Sequence, residues 1–257
     1  MRRLAFGFAA LALAACQPQT PASPAATATS PLAERAAVAE QAAERFATIA
    51  QGSETSGQPP RQTDPNVASL LDQVLDTSAL PASPTAADIT PINDWLLAAV
   101  KVNQVYALAG TGMTDAQATP SAAASARADS NLATFAPEIG RALDAEAILL
   151  GTEGAAIAQV GAGGGGDPAA YQQVQSQVAQ AYAGSLGVIG RPELADPWKE
   201  ARAKVLVSMA PRVAPLLSPQ DRQALQTAAR QVAAKNTDAT LQAELNDFAA
   251  KIAPAAA

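Results

Sequence analysis

Histidine is missing from all 257 residues of the chain. That absence excludes Ser-His-Asp and Cys-His catalysis, imidazole metal sites and the usual near-neutral general base. Cysteine occurs once, at Cys16. No intramolecular disulfide is therefore available, and a chain this long buries enough surface to fold without one. Charge is sparse, at 16% of residues, and unbalanced, with 17 basic against 23 acidic side chains. There is no polybasic run, so nucleic acid and anionic membrane surfaces are poor partners. Aromatic residues make up 4%. Nearly half the chain is apolar, but about a quarter of it is alanine, so large core side chains are few.

The N-terminus is more specific. Arg2 and Arg3 precede the uncharged stretch Leu4 to Leu13. This is the length of a signal h-region and too short to span a bilayer as a helix. Leu13-Ala14-Ala15-Cys16 follows. The pattern resembles the lipobox of bacterial lipoproteins, and the likeness covers the first sixteen residues only. It implies that residues 1–15 are removed as an export signal, that the Cys16 thiol takes a diacylglycerol, and that the new α-amine is acylated. Two or three acyl chains anchor stably, because each buried methylene adds about 0.8 kcal/mol. In such proteins an Asp after the Cys favours the inner membrane; here Gln17 stands there. The expected location is thus the periplasmic face of the outer membrane, if the cell is Gram-negative. Loss of Arg2 and Arg3 leaves 15 basic and 23 acidic residues, a net charge of −8. With no histidine, free thiol or free amine, no group with an ordinary pKa between about 5 and 8 remains. Folding stability is accordingly expected to be nearly flat across that window.

Residues 17–30 are Pro, Ala, Thr, Ser and Gln without charge or bulk. With Cys16 they read as a lipid-anchored tether, spanning about 20 Å as a coil and about 40 Å as polyproline II. Beyond it a punctuation recurs: Ser30-Pro31, Asp64-Pro65, Thr90-Pro91, Thr119-Pro120, Asp167-Pro168, Asp196-Pro197 and Ser218-Pro219 each precede a helix-like stretch. The Ser, Thr or Asp side chain accepts from first-turn amides, and proline has no amide to leave unsatisfied. Thr90–Asn93 and Ser218–Asp221 approximate capping boxes.

Apolar spacing agrees with this punctuation. Helical faces run through Val67, Leu71 and Val74; Ile92, Trp95, Val102 and Tyr106; Ile139, Leu143, Leu150 and Ile157; and Tyr171, Val178 and Tyr182. Others run through Trp198, Ala201, Val205 and Met209, in a helix ending near Pro211; through Leu225, Ala229 and Val232; and through Leu241, Leu245, Phe248 and Ile252. The helix bearing Ile139 is expected to start or kink at Pro137. No segment alternates with period two. The expectation is an all-α bundle of about eight helices with no sheet, forming a single domain over 31–257. The Gly- and Pro-containing linker 52–63 leaves the first helix, 31–51, open to being a separate stalk.

Candidate chemistry is thin. Gly161-Ala162-Gly163-Gly164-Gly165-Gly166 lacks the Gly-Lys-Ser/Thr and preceding strand of a phosphate loop, and reads as a turn. Gly110-Thr111-Gly112 reads as a helix C-cap and turn. Lys204 and Ser208, four apart, are the one nucleophilic dyad the composition permits, with solvent-face neighbours as the plainer reading. Asp144 and Glu146 face different sides of their helix, and Glu138 with Asp144 is no better placed for carboxylate chemistry. Trp95 with Tyr106, and Trp198 with Met209, either line a ligand pocket or pack the core. No cofactor, metal or catalytic residue is assigned; Cys16 is the one site. The expected function is binding or scaffolding of an envelope protein by a lipid-anchored helical domain. The alternatives are a histidine-free hydrolase using Ser/Lys or carboxylates, and a helical small-molecule carrier.

Overall fold

The structure, a computed structural model, describes residues 30–52, 58–111, 121–162 and 168–253. Cys16, the export signal and nearly all of the tether lie outside the described residues, as do Gly112, Thr119-Pro120, Gly163 to Gly166 and Asp167. The described chain is all-α, with nine helices and no strand. They are α1 (Pro31–Gly52), α2 (Pro65–Leu75), α3 (Ile89–Ala107), α4 (Ala122–Thr134), α5 (Ala136–Ala162), α6 (Pro168–Ile189), α7 (Asp196–Val213), α8 (Pro219–Lys235) and α9 (Ala239–Ile252). A 3-10 turn, Ala86–Asp88, leads into α3. Among these helices none is long and apolar enough to cross a membrane.

The cap residues behave unevenly. Ser30, Asp64 and Ser218 accept from first-turn amides as the Ser/Asp-Pro pairs predict. Thr90 does not: α3 begins one residue earlier, and the capping box sits upstream, where Thr85 and Asp88 bond reciprocally. Asp196 is the first residue of α7, behind Ala195. Pro211 does not end α7, which runs on to Val213. Proline there forfeits one bond, to the Val207 carbonyl, and the helix resumes with Ala214 N donating to Ala210 O at 2.9 Å. The break near Pro137 falls at Phe135, which separates α4 from α5. Helix α4 buries only Ala124, Asn131 and Leu132 and so carries no long apolar stripe.

Helix α5, 27 residues and about 40 Å long, is the spine. It packs on α2, α3 and α4 to one side and on α6 and α7 to the other. Helix α1 lies on α2 and α3; α9 is held by α7 and α8. The N-terminal helix is therefore no stalk. Its Ala36, Ala39, Ala42, Ala43 and Phe46 are buried, and the Phe46 ring stands 5.4 Å from that of Tyr106. The described end of the linker is docked too: Pro59 is buried, and the Tyr106 hydroxyl donates to Pro60 O at 2.9 Å. Arg35 donates to the last carbonyls of α2, including Asp76 O at 3.0 Å, with its guanidinium over the Trp95 ring.

Helix α7 corrects a stripe. Trp198, Ala201, Val205 and Met209 are only half-buried; the buried set is Lys199, Ala203, Leu206, Val207, Ala210 and Val213. The helix has α5 on one flank and α9 on another, so its covered surface is wider than one stripe. Where α5 meets α7 the approach is close at Gly140. A Cβ there would overlap the Arg202 guanidinium and lie 2.6 Å from Trp198 Nε1, which donates to Ala136 O. Gly140→Ala should cost roughly 1–3 kcal/mol by overpacking, despite alanine's better helix propensity. At Gly184 on α6, nothing lies within 4 Å of an added Cβ. Gly184→Ala should instead stabilise by about 1 kcal/mol or less. Urea midpoints of the two variants moving in the same direction would refute this reading.

Candidate functional site

The structure separates the two members of the Ser/Lys pair chemically. The Lys204 side chain is 56% exposed and stands 4.0 Å from Glu200. Ser208 is exposed, and its Oγ donates to Val205 O at 2.7 Å. Neither side chain is buried as an activated Ser-Lys pair requires. Gly110 has φ 66° and makes the turn after α3, with Thr111 Oγ1 donating to Leu108 O. Gly161 remains helical. Trp95 and Tyr106 are wholly buried core, with Trp95 Nε1 donating to Val74 O at 2.6 Å. Trp198 and Met209 pack at the edge of the core. Beside them a shallow recess lined by residues that include Leu143, Asp144, Ser185 and Arg202 has a cavity volume of about 10 Å³. That is room for about one water molecule, far below the roughly 300–1,000 Å³ typical of small-molecule sites. Asp144 is gripped through both oxygens by Arg202, so neither charge is free for a ligand. Burial nevertheless raises the Asp144 carboxyl to about 6 against the pull of Arg202.

A different arrangement emerges where α5 meets α3 and the segment before α2. Glu138, Glu146 and Glu153 all project from α5, and Glu138 and Glu153 are almost wholly buried, at 1% and 3% exposure. Glu138 has partners: Arg61 Nε at 3.1 Å and the Gln62 amide at 3.2 Å. Its charge is balanced, and Arg61, which also lies over the Phe135 ring, ties the end of the linker to α5. Among the described residues no cation acts on Glu146 or Glu153. Burial pushes the Glu146 carboxyl up to about 7, with the Asn103 side chain of α3 pulling the other way. Burial pushes Glu153 up to about 8, assisted by the nearby negative charge of Asp94. Both carboxyls are thereby held well above the ordinary carboxylate range.

The polar atoms around them make a consistent set. Asn93 and Asn103 of α3 are buried, at 6% and 5% exposure. The sealed, unpartnered atoms here are Asn93 Oδ1, Asn103 Oδ1, Glu138 Oε2, Glu146 Oε1 and Glu153 Oε2. Every one is an oxygen. A row of acceptors without donors is costly unless protons are supplied, and the raised proton affinity of Glu146 and Glu153 acts in that direction. Among the described residues no three metal-ligating side chains converge.

Sequence reasoning missed this seam, though a signal was present. Glu146 and Glu153 are seven apart, two turns on one face, and that face also carries the apolar Leu149 and Leu150. The pairs weighed from sequence, Asp144 with Glu146 and Glu138 with Asp144, sit on different flanks: Asp144 meets α7 while Glu146 meets α3. No family model, curated protein or solved structure matches the chain.

Proposed function

We propose that this chain is a lipid-anchored envelope protein whose helical domain acts by binding or scaffolding a protein partner. The observation that carries the reading is Leu13-Ala14-Ala15-Cys16, with a charged start and an uncharged core before it. Lipidated Cys16 would hold the domain at the membrane, and the uncharged segment that follows would set its stand-off. Gln17 in place of Asp favours the periplasmic face of the outer membrane. Action by contact is supported by the exposure of both Lys204 and Ser208, by the small recess at α5 and α7, and by the absence of histidine.

Cys16→Ala should abolish incorporation of a clickable fatty acid and leave uncleaved precursor in the inner membrane. Equal labelling of variant and wild type would overturn the anchor. For the mode of action, the lipidated protein is photo-crosslinked in intact cells from the exposed positions Lys204, Ala224 and Ala243. Discrete adducts with an envelope protein are expected. Labelling of Ser208 by a fluorophosphonate, lost in both Ser208→Ala and Lys204→Met, would replace this reading with a hydrolase.

A further inference from the structure

The corner where the end of α3 meets the start of α5 is filled by Pro59-Pro60-Arg61-Gln62 of the chain itself. Neither proline has an amide to donate, and Pro59, Pro60 and Arg61 join no helix or strand. The segment is held instead by groups suited to its chemistry. The Tyr106 hydroxyl donates to Pro60 O at 2.9 Å. The rings of Phe46, Tyr106 and Phe135 follow one another at 5.4 and 5.5 Å, and Pro59 is buried. The Arg61 guanidinium lies 4.9 Å over the Phe135 ring, with Nε 3.1 Å from Glu138 Oε1. The Gln62 amide donates to the same oxygen at 3.2 Å. A hydroxyl on a prolyl carbonyl and a run of aromatic rings are the means by which proline-rich segments are bound, at little cost in chain entropy. The acid adds a choice of cation. A planar guanidinium lies on a ring and faces a carboxylate at once, whereas an ammonium has no plane with which to do both.

The fit of the chain's own segment is incomplete. The Glu138 side chain is 1% exposed, yet its Oε2 is sealed without a partner. Arg61 meets the carboxylate through Nε, while its Nη1 donates to Thr134 O at 3.0 Å. Its carbonyl accepts from the Asp64 amide at 3.0 Å, in the turn that leads into α2. That turn restricts where the guanidinium can reach. A segment without it can offer two nitrogens to both carboxylate oxygens, which is the stronger geometry.

We propose that this corner is a receptor site for proline–arginine segments, occupied in cis by residues 59–62, and that a Pro-Pro-Arg segment of a partner protein displaces them. The seated segment sets the chemistry of the partner: two prolines, then an arginine. The excess of acid over base, 23 residues against 17, favours a cationic ligand. Tethering makes the resident segment a strong competitor, at a local concentration on the order of millimolar. The site therefore yields only to a ligand that uses Glu138 better. This names the partner chemistry for the binding reading above and rests on it.

The test is fluorescence anisotropy with a labelled peptide, Gln-Pro-Pro-Arg-Gln-Thr, and the full lipidated protein in detergent. Pro60→Ser with Arg61→Ser empties the site and leaves Tyr106, Phe135 and Glu138 in place. The emptied variant should bind the peptide about tenfold more tightly than the wild type, or better, because its own segment no longer competes. Adding Glu138→Gln, or changing the peptide's arginine to lysine, should weaken that binding by roughly tenfold, the effect of one charge-assisted bond. The peptide should also raise the urea midpoint of the emptied variant. No binding to the emptied variant, equal binding to the wild type, or binding indifferent to both changes would overturn the site. If the double variant does not fold, Arg61→Lys takes its place, since it keeps a cation beside Glu138. It should again bind the peptide more tightly than the wild type, and equal or weaker binding overturns the site. Crosslinks to an envelope protein from the outer helix positions test the broader reading separately, whatever the peptide does.

Discussion

The urea midpoint of this protein should fall continuously as pH is raised from 5 to 8. The sign follows from proton counting. Below about pH 4.5, folded and unfolded chains both hold protons on Glu146 and Glu153. Above it the unfolded chain releases them, while the folded chain keeps them until about 7 and about 8. The folded state then binds more protons than the unfolded state, so stability drops as pH rises, by up to about 1.4 kcal/mol per pH unit for each retained proton. Asp144, raised to about 6 by burial, acts in the same direction over the lower part of the window. The carboxyls of Asp76 and Glu193 are shifted downward, so their contribution is lost only below the window. The total is several kcal/mol, a large share of the roughly 5–15 kcal/mol that holds a domain together. Glu146→Gln with Glu153→Gln should remove most of the slope, leaving the weaker part due to Asp144. A wild-type midpoint that is level from pH 5 to 8 would show that these carboxyls ionise in the fold at little cost. This outcome differs from the flat profile that ordinary pKa values predict. Residue types alone give the reference values, and burial between helices moves them.

The second large effect is expected at Phe248. Leu241, Leu245, Phe248 and Ile252 are all at 0% exposure, so α9 presents its whole stripe to α7 and α8. Phe248 stacks on Tyr182 with ring centroids 6.4 Å apart, and the Tyr182 hydroxyl donates to Ala147 O of the spine. Removing the ring therefore opens a cavity bounded by several helices rather than a dent at the surface. Phe248→Ala should cost roughly 3–5 kcal/mol, read as a lowered urea midpoint with the same m-value. A loss below about 0.5 kcal/mol would mean that the C-terminal helix is not docked in solution.

Much of the helical architecture was legible in the residues. The stripe of α9 emerges intact because α9 buries one continuous face, and the caps at Ser30, Asp64 and Ser218 depend only on local geometry. What failed depended on neighbours. Helix α7 is covered from two flanks, so the aromatic Trp198 marks an edge while the ammonium-bearing Lys199 goes in, reaching Asp196 at 3.0 Å. The seam was hidden for the same reason. A glutamate on a helix reads as solvent-facing until the facing helix is known, and here that helix presents asparagines.

The position of α5 bears on how this chain can change over generations. Besides α5 itself, the first four helices and the last four meet through few bonds, such as Arg212 to Ala82 O and Arg191 to Asp129. Such an arrangement looks like two modules, yet it cannot be inherited as two. Either group removed alone would strip one flank of a helix whose Ala142, Ala145, Leu149 and Ala156 are buried at 1% exposure or less. Neither group can be lost, duplicated or exchanged without a substitute cover for α5. Lineages of this protein are therefore expected to vary at loop tips and outer helix faces while keeping the nine described helices together.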